Sequence, residues 1–94
     1  NVFPIMSSIK GVDEWQLVVR KKNNDQFDLD EIAITISLRA GAVFTDVEDE
    51  VKKKMHSEMQ VSVFVEEATT AQLIDRLGME TELKEKRIVD ARKA

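Results

Sequence analysis

The stretch Ile32-Ala33-Ile34-Thr35-Ile36-Ser37-Leu38-Arg39 alternates branched apolar residues with small or polar ones without a break. Successive side chains of a strand point to opposite faces, so Ile32, Ile34, Ile36 and Leu38 turn inward and Ala33, Thr35, Ser37 and Arg39 turn outward. Three isoleucines in five positions also suit the half-buried pleated surface that a strand offers. Upstream, Trp15 to Lys21 contains Leu17-Val18-Val19 and reads as a second strand. Asn23-Asn24-Asp25 between them supplies side chains that bond their own backbone and tolerate left-handed conformations. The two runs are predicted to form an antiparallel hairpin.

Working outward, Arg39 to Phe44 is a loop carrying Gly41. Thr45-Asp46-Val47-Glu48 has the spacing of a capping box, with Thr45 as N-cap and Glu48 reaching back. Behind it, Val47, Val51, Met55 and Met59 recur every fourth residue and predict a helix with one apolar stripe toward the sheet. Lys52, Lys53 and Lys54 fall largely off that stripe, with Asp49 and Glu50 nearby, and read as solvated helix surface; His56 reads the same way. Val61, Val63 and Val65 alternate with Ser62, Phe64 and Glu66, giving a third strand from which Phe64 turns away. Thr69 or Thr70 then caps a short helix through Leu73, Ile74 and Leu77, with Gly78 placed to end it. At the other end, Val2-Phe3 reads as extended because it precedes Pro4, and Pro4 opens a short helix from Ile5 to Lys10 that Gly11 closes.

That order predicts an α+β domain. If the extended start is the stump of a strand, the pattern is βαββαβ-like with its first strand truncated: a ferredoxin-like antiparallel sheet with helices on one face. Architecture of this kind hosts many functions and decides none of them.

Composition narrows the classes. At 94 residues, 43% hydrophobic and 34% charged, the chain supports one modest core and reads as a single domain over 1–94. A net charge of −4 argues against nucleic-acid binding, which needs concentrated positive charge. No apolar run is long enough to span a bilayer and no signal peptide is visible, so a cytoplasmic location is expected by elimination. With no cysteine and one histidine, His56, neither a thiolate nor a His-rich metal site can form, and the carboxylates show no metal-loop spacing. Gly11, Gly41 and Gly78 are scattered, so no phosphate-cradling loop exists, and no Ser/His/acid arrangement is suggested. A self-contained enzyme is not expected. The chain opens on Asn1 followed by Val2-Phe3-Pro4, which reads as a cut through a longer protein.

The tail, Lys84-Glu85-Lys86-Arg87-Ile88-Val89-Asp90-Ala91-Arg92, has too few apolar groups for a core strand and no helical stripe. By itself it reads as a solvated, partly frayed end, with Arg87 and Asp90 as a local ion pair. Its pattern Lys-x-x-Arg-Ile-Val-Asp-x-Arg, however, resembles the closing motif of the phenylacetate–CoA ligase family. Asn1-Val2-Phe3-Pro4 is similar to the opening of that family's C-terminal domain, and Trp15-Gln16-Leu17-Val18-Val19 to its Tyr-Gln-Leu-Val-Val strand. Leu29-Asp30-Glu31 sits where the family has Leu-Asp-Glu before its second strand. Leu83 stands where the family usually has Gly before its lysine, and Ile5-Met6-Ser7-Ser8 replaces a common Ser-Gln-Ile-Glu.

The resemblance implies a mobile C-terminal lid on an AMP-forming acyl or aryl ligase. Such an enzyme makes an acyl-adenylate and pyrophosphate from a carboxylic acid and Mg-ATP, and CoA then displaces AMP to give a thioester. By that resemblance Lys84 is the catalytic lysine of adenylation, with Lys86 its nearest rival, and Asn1 and Arg87 lie toward cofactor. ATP/AMP, Mg2+ and coenzyme A would be bound mainly by an N-terminal adenylating domain of the same protein. Pairing of two copies stays open. The competing class is an ACT-like regulatory or oligomerisation module, which shares the element order but has no use for the tail motif.

Overall fold

The computed structural model describes residues 2–21, 30–77 and 87–92. Along the chain run α1 (Val2–Ser7), β1 (Val12–Lys21), β2 (Asp30–Leu38), α2 (Phe44–Met59), β3 (Phe64–Glu67), α3 (Thr70–Leu77) and β4 (Ile88–Asp90). The strands form one sheet in the order β3-β2-β1-β4. The α+β, ferredoxin-like class read from the sequence is the one found, with three departures inside it.

The first concerns strand direction. β1 and β2 are the predicted antiparallel hairpin, pairing Leu17 with Ile34 and Trp15 with Ile36. β3 runs parallel to β2, and β4 runs parallel to β1, so the sheet is mixed rather than wholly antiparallel. For β3 the cause is the connection: α2 crosses over the sheet and returns the chain in the direction in which β2 left.

The second is the placement of helices. α1 and α2 cover one face, where Val2, Ile5, Met6, Ile9, Val12, Trp15, Leu17, Ile34, Ile36, Val47, Val51, Met55, Val63 and Val65 make one apolar cluster. α3 covers the opposite face: its Thr70 and Arg76 reach Ser37 and Thr35, the residues that alternate with Ile34 and Ile36. Helices therefore lie on both faces, because the face read as outward carries small and hydroxyl side chains that an amphipathic helix can cover.

The third is the start. Val2–Ser7 is helical, so no truncated first strand is found among the described residues. Val2, Ile5, Met6 and Ile9 fall at i, i+3, i+4 and i+7, and burying that stripe outweighs the extended preference before Pro4. Pro4 costs little there, since first-turn N–H groups have no intrahelical acceptor. Gly11 follows, and a Cβ on it would meet Val47 Cγ2 at 2.5 Å, so α1 and α2 can approach only with glycine at that point.

α2 begins at Phe44, earlier than the Thr45 box implied. Val43 is the N-cap with φ −108° and ψ 128°, and no side chain caps it. Glu48 instead pairs with Lys52 at 3.4 Å, followed by Lys53–Asp49 and Lys54–Glu50, which accounts for the lysine triplet within the helix itself. At α3 the box does form: Gln72 N–H donates to Thr69 Oγ1 at 3.1 Å, and Thr69 N–H donates to Gln72 Oε1 at 2.9 Å. Gly78 lies outside the described residues. Val47, Val51 and Met55 are buried as the stripe predicted, while Met59 is exposed at the last turn.

Candidate functional site

The described part of the tail is an edge strand rather than a frayed end. Leu17 N–H donates to Arg87 O and Ala91 N–H to Val19 O, both at 2.7 Å, so backbone bonding compensates for the shortage of apolar side chains. Ile88 pairs with Leu17 yet stays half exposed, as an edge allows.

Arg87 fixes the start of that strand. Its Nη1 donates to Trp15 O at 2.9 Å and its Nη2 to the Glu14 carboxylate. Its guanidinium also sits 5.4 Å from the centre of the Trp15 ring, within cation–π range. Phe3 meets the same ring edge-on at 5.2 Å. The start of β1, the tail 72 positions beyond Trp15 and the first helix thus meet around one guanidinium and the ring beside it. The Arg87 and Glu14 side chains are only 13% and 18% exposed, so water screens this pair far less than a surface pair.

The backbone explains why Glu14 is available. The β1–β2 register shifts between Val12 and Trp15, which lets both residues bury on the same face although three positions apart. Glu14, released by the irregularity, donates its N–H to Ser37 Oγ and directs its carboxylate to Arg87. The ion pair expected within the tail is therefore redistributed: Arg87 takes Glu14, and Asp90 takes Arg92.

Beyond Arg87 the tail ends in a second charged cluster. Arg92 bonds Asp90 and reaches Asp30 at 3.0 Å, and Lys21 bonds Asp30 at 2.6 Å. Hydrogen bonding from the Arg92 side chain and backbone pulls the Asp90 carboxyl down to about 2. Asp30 is lowered too, by Lys21 first and Arg92 second, and Arg92 is raised in return by Asp90 and Asp30.

Of the residues singled out from sequence, Lys84, its rival Lys86, and Asn1 lie outside the described residues. Arg87 is described, and its guanidinium faces protein groups rather than open solvent. Glu14 and Trp15 were not singled out as partners of the tail. No local pattern could have found Glu14, because its significance arises only when β4 is laid beside β1. No group of three or more His, Cys, Asp or Glu among the described residues is placed to hold a metal ion.

Among solved structures, the chain is similar over 99% of its length to a domain of phenylacetate-coenzyme A ligase from Bacteroides vulgatus ATCC 8482. The match covers 82% of that domain, with TM-score 0.71 and 13% identity. It has the fold of a CoA-ligase domain. A second similar structure is 2-hydroxyisobutyryl-CoA ligase, solved with 2-HIB-AMP and CoA in the thioesterification state. There 96% of this chain matches 18% of that enzyme, with TM-score 0.69 and 14% identity. No family model and no curated protein matches the sequence. The CoA-ligase-domain fold thus persists here at an identity where the fold alone is common ground.

Proposed function

We propose that this chain is the C-terminal domain of an AMP-forming acid–CoA ligase, and that Lys84 serves its adenylation step. The observation that carries the reading is the seating of the tail motif. Its Arg87 is clasped on a fold shared with two CoA-ligase structures, one of which was solved with an acyl-adenylate and CoA. A regulatory module of the same architecture has no use for such a clasp on a charged tail.

Arg87 anchors the segment on its own side of Lys84. The two positions are three apart in sequence, and an extended chain spans at most about 3.6 Å per residue, so the tether is on the order of 11 Å. A short tether on a rigid sheet edge lowers the entropic cost of presenting an ammonium to a second body. A lysine so presented neutralises charge developing on phosphate and carboxylate oxygens, and its flexible stem reaches across an interface. ATP supplies the adenylyl group and CoA the thiol, bound mainly by a larger N-terminal domain. The described residues do not fit a Mg2+ site, so no step is assigned to a metal held here. Arg87, in this arrangement, acts by positioning the tail; phenylacetate or another aryl acid is the substrate class that the motif favours.

The test is made in the full-length ligase. Lys84→Ala is expected to cripple acyl-adenylate formation, read as ATP–pyrophosphate exchange, and to spare thioester formation from supplied acyl-adenylate. Equal loss of both half-reactions would sink the assignment of Lys84. A full-length protein with no ATP-binding portion would sink the ligase reading itself and return the domain to the regulatory class.

A further inference from the structure

We propose that the hollow at the open end of the β1–β2 hairpin, between α1 and the turn after β2, binds a phosphate monoester with an apolar body. The hollow encloses about 560 Å³, within the span of roughly 300–1,000 Å³ usual for small-molecule sites. Its floor is apolar and buried, formed by Met6, Ile9 and Trp15, while Lys10, Arg39 and Arg87 stand around its rim.

The charges on that rim are not equivalent. Arg87 is neutralised by Glu14. The one acid lining the hollow, Asp13, accepts the Thr70 hydroxyl at 2.7 Å. Lys10 and Arg39 have no carboxylate partner among the described residues, whereas the lysines of α2, both cations ending β1 and both arginines of the tail are paired. Arg76 also lacks a carboxylate there, but it sits on the far face of the sheet beside Thr35. Two cations without an ion-pair partner, set against the single carboxylate of Asp13, leave the lining net positive in a chain of net charge −4.

Geometry narrows the ligand class. Arg39 Nε–H donates to Val12 O at 3.0 Å, which fixes the guanidinium plane and leaves its Nη groups for a ligand. A guanidinium fork beside an ammonium suits a doubly charged phosphate, because the fork meets two oxygens and the ammonium balances the second charge. A carboxylate carries a single charge and gains less from the pair. The apolar floor then takes the organic part, which free phosphate lacks. Charge and shape alone carry this assignment, and it stands or falls apart from the ligase reading.

Trp15 is the sole tryptophan and forms part of the floor, so its indole N–H resonance reports occupancy directly. The chain is titrated at low salt with phenyl phosphate, inorganic phosphate and phenol. Phenyl phosphate is expected to shift the indole signal saturably, inorganic phosphate to do so at least threefold more weakly, and phenol not at all. Raising the salt weakens an exposed charge contact and should weaken binding. Lys10→Gln with Arg39→Gln should weaken phenyl phosphate at least tenfold, and Arg76→Gln should leave it unchanged. Circular dichroism establishes that the variants fold; if the double variant does not, Lys10→Gln and Arg39→Lys singly are expected to weaken binding at least threefold each. No saturable shift, phenol matching phenyl phosphate, or variants binding like the native chain would overturn the proposal. Equal binding of inorganic and phenyl phosphate would overturn the apolar-body part of it.

Discussion

The two faces of this sheet are built from alternate residues of the same strands and do different work. Under α1 and α2 the contacts are aliphatic: Ile34, Ile36, Val51 and Met55 are fully buried, and area removed from water drives the packing. Under α3 the buried strand residues are Gln16, Thr35, Ser37 and Ala33, and only Leu73 and Leu77 of the helix are fully buried. No buried side-chain polar atom among the described residues lacks a partner. Thr70 Oγ1 lies 2.7 Å from Asp13 Oδ2 and 2.9 Å from Ser37 Oγ. With one proton on each hydroxyl, Thr70 donates to the carboxylate and Ser37 donates to Thr70. Aliphatic packing contributes stability and tolerates several geometries; a hydrogen-bonded face contributes less net energy but penalises every wrong placement. One face holds the domain together, and the other decides where α3 sits.

Substitutions can break that contrast. Ile36→Ala on the aliphatic face should lose about 3–4 kcal/mol in denaturant unfolding, since truncating a fully buried aliphatic adds a cavity to the lost transfer energy. A loss below about 1.5 kcal/mol would show that α1 and α2 do not form the main core. Leu73→Ala should cost less, about 2–3 kcal/mol, because α3 can settle onto small side chains. Hydrogen exchange should then show early opening of α3 amides while the β1–β2 amides stay protected; simultaneous opening of both would erase the distinction between faces.

Between these and the smallest effects lies the Arg87 clasp, where the faces meet the tail. Arg87→Ala leaves Glu14 partly buried without its partner and should cost about 1–3 kcal/mol. The amides that join β1 to the tail, those of Leu17 and Ala91, should lose protection first, which a purely electrostatic surface pair would not produce. Ser37→Ala tests the polar face more gently, at about 1–2 kcal/mol. A double-mutant cycle with Thr70→Val should show coupling, and additivity would mean that the hydroxyl chain does not position α3.

The smallest effect belongs to the end of the tail. The Asp90 carboxyl is depressed to about 2 by Arg92, from 3.8. A depressed carboxyl contributes stability that is present above its unfolded value and lost as pH falls through the folded one. Any contribution from this exposed pair should therefore fade between about pH 4 and pH 2. A carbon-detected NMR titration of Asp90 giving an ordinary carboxylate midpoint would show that Arg92 does not hold it.

Much of this was legible in the residues. Alternation along 32–39 determined the hairpin and its aliphatic face, because a two-residue period admits one inward set. The four-residue recurrence of Val47, Val51 and Met55 determined α2, and Thr69 or Thr70 marked the start of α3, with the structure choosing Thr69 through its pairing with Gln72. What alternation cannot say is whether the outward face meets water or a helix: Thr35 and Ser37 suit either, and only the tertiary contacts of Thr70 and Arg76 placed α3 upon them. The tail shows the same limit. Ile88-Val89-Asp90 carries too little apolar surface to announce a strand, and it is one because backbone groups of β1 stood unpaired beside it. Glu14 and Arg87 have no relation in sequence. Seventy-three positions apart, they became partners only when the sheet closed, since an ion pair depends on distance in space and not along the chain.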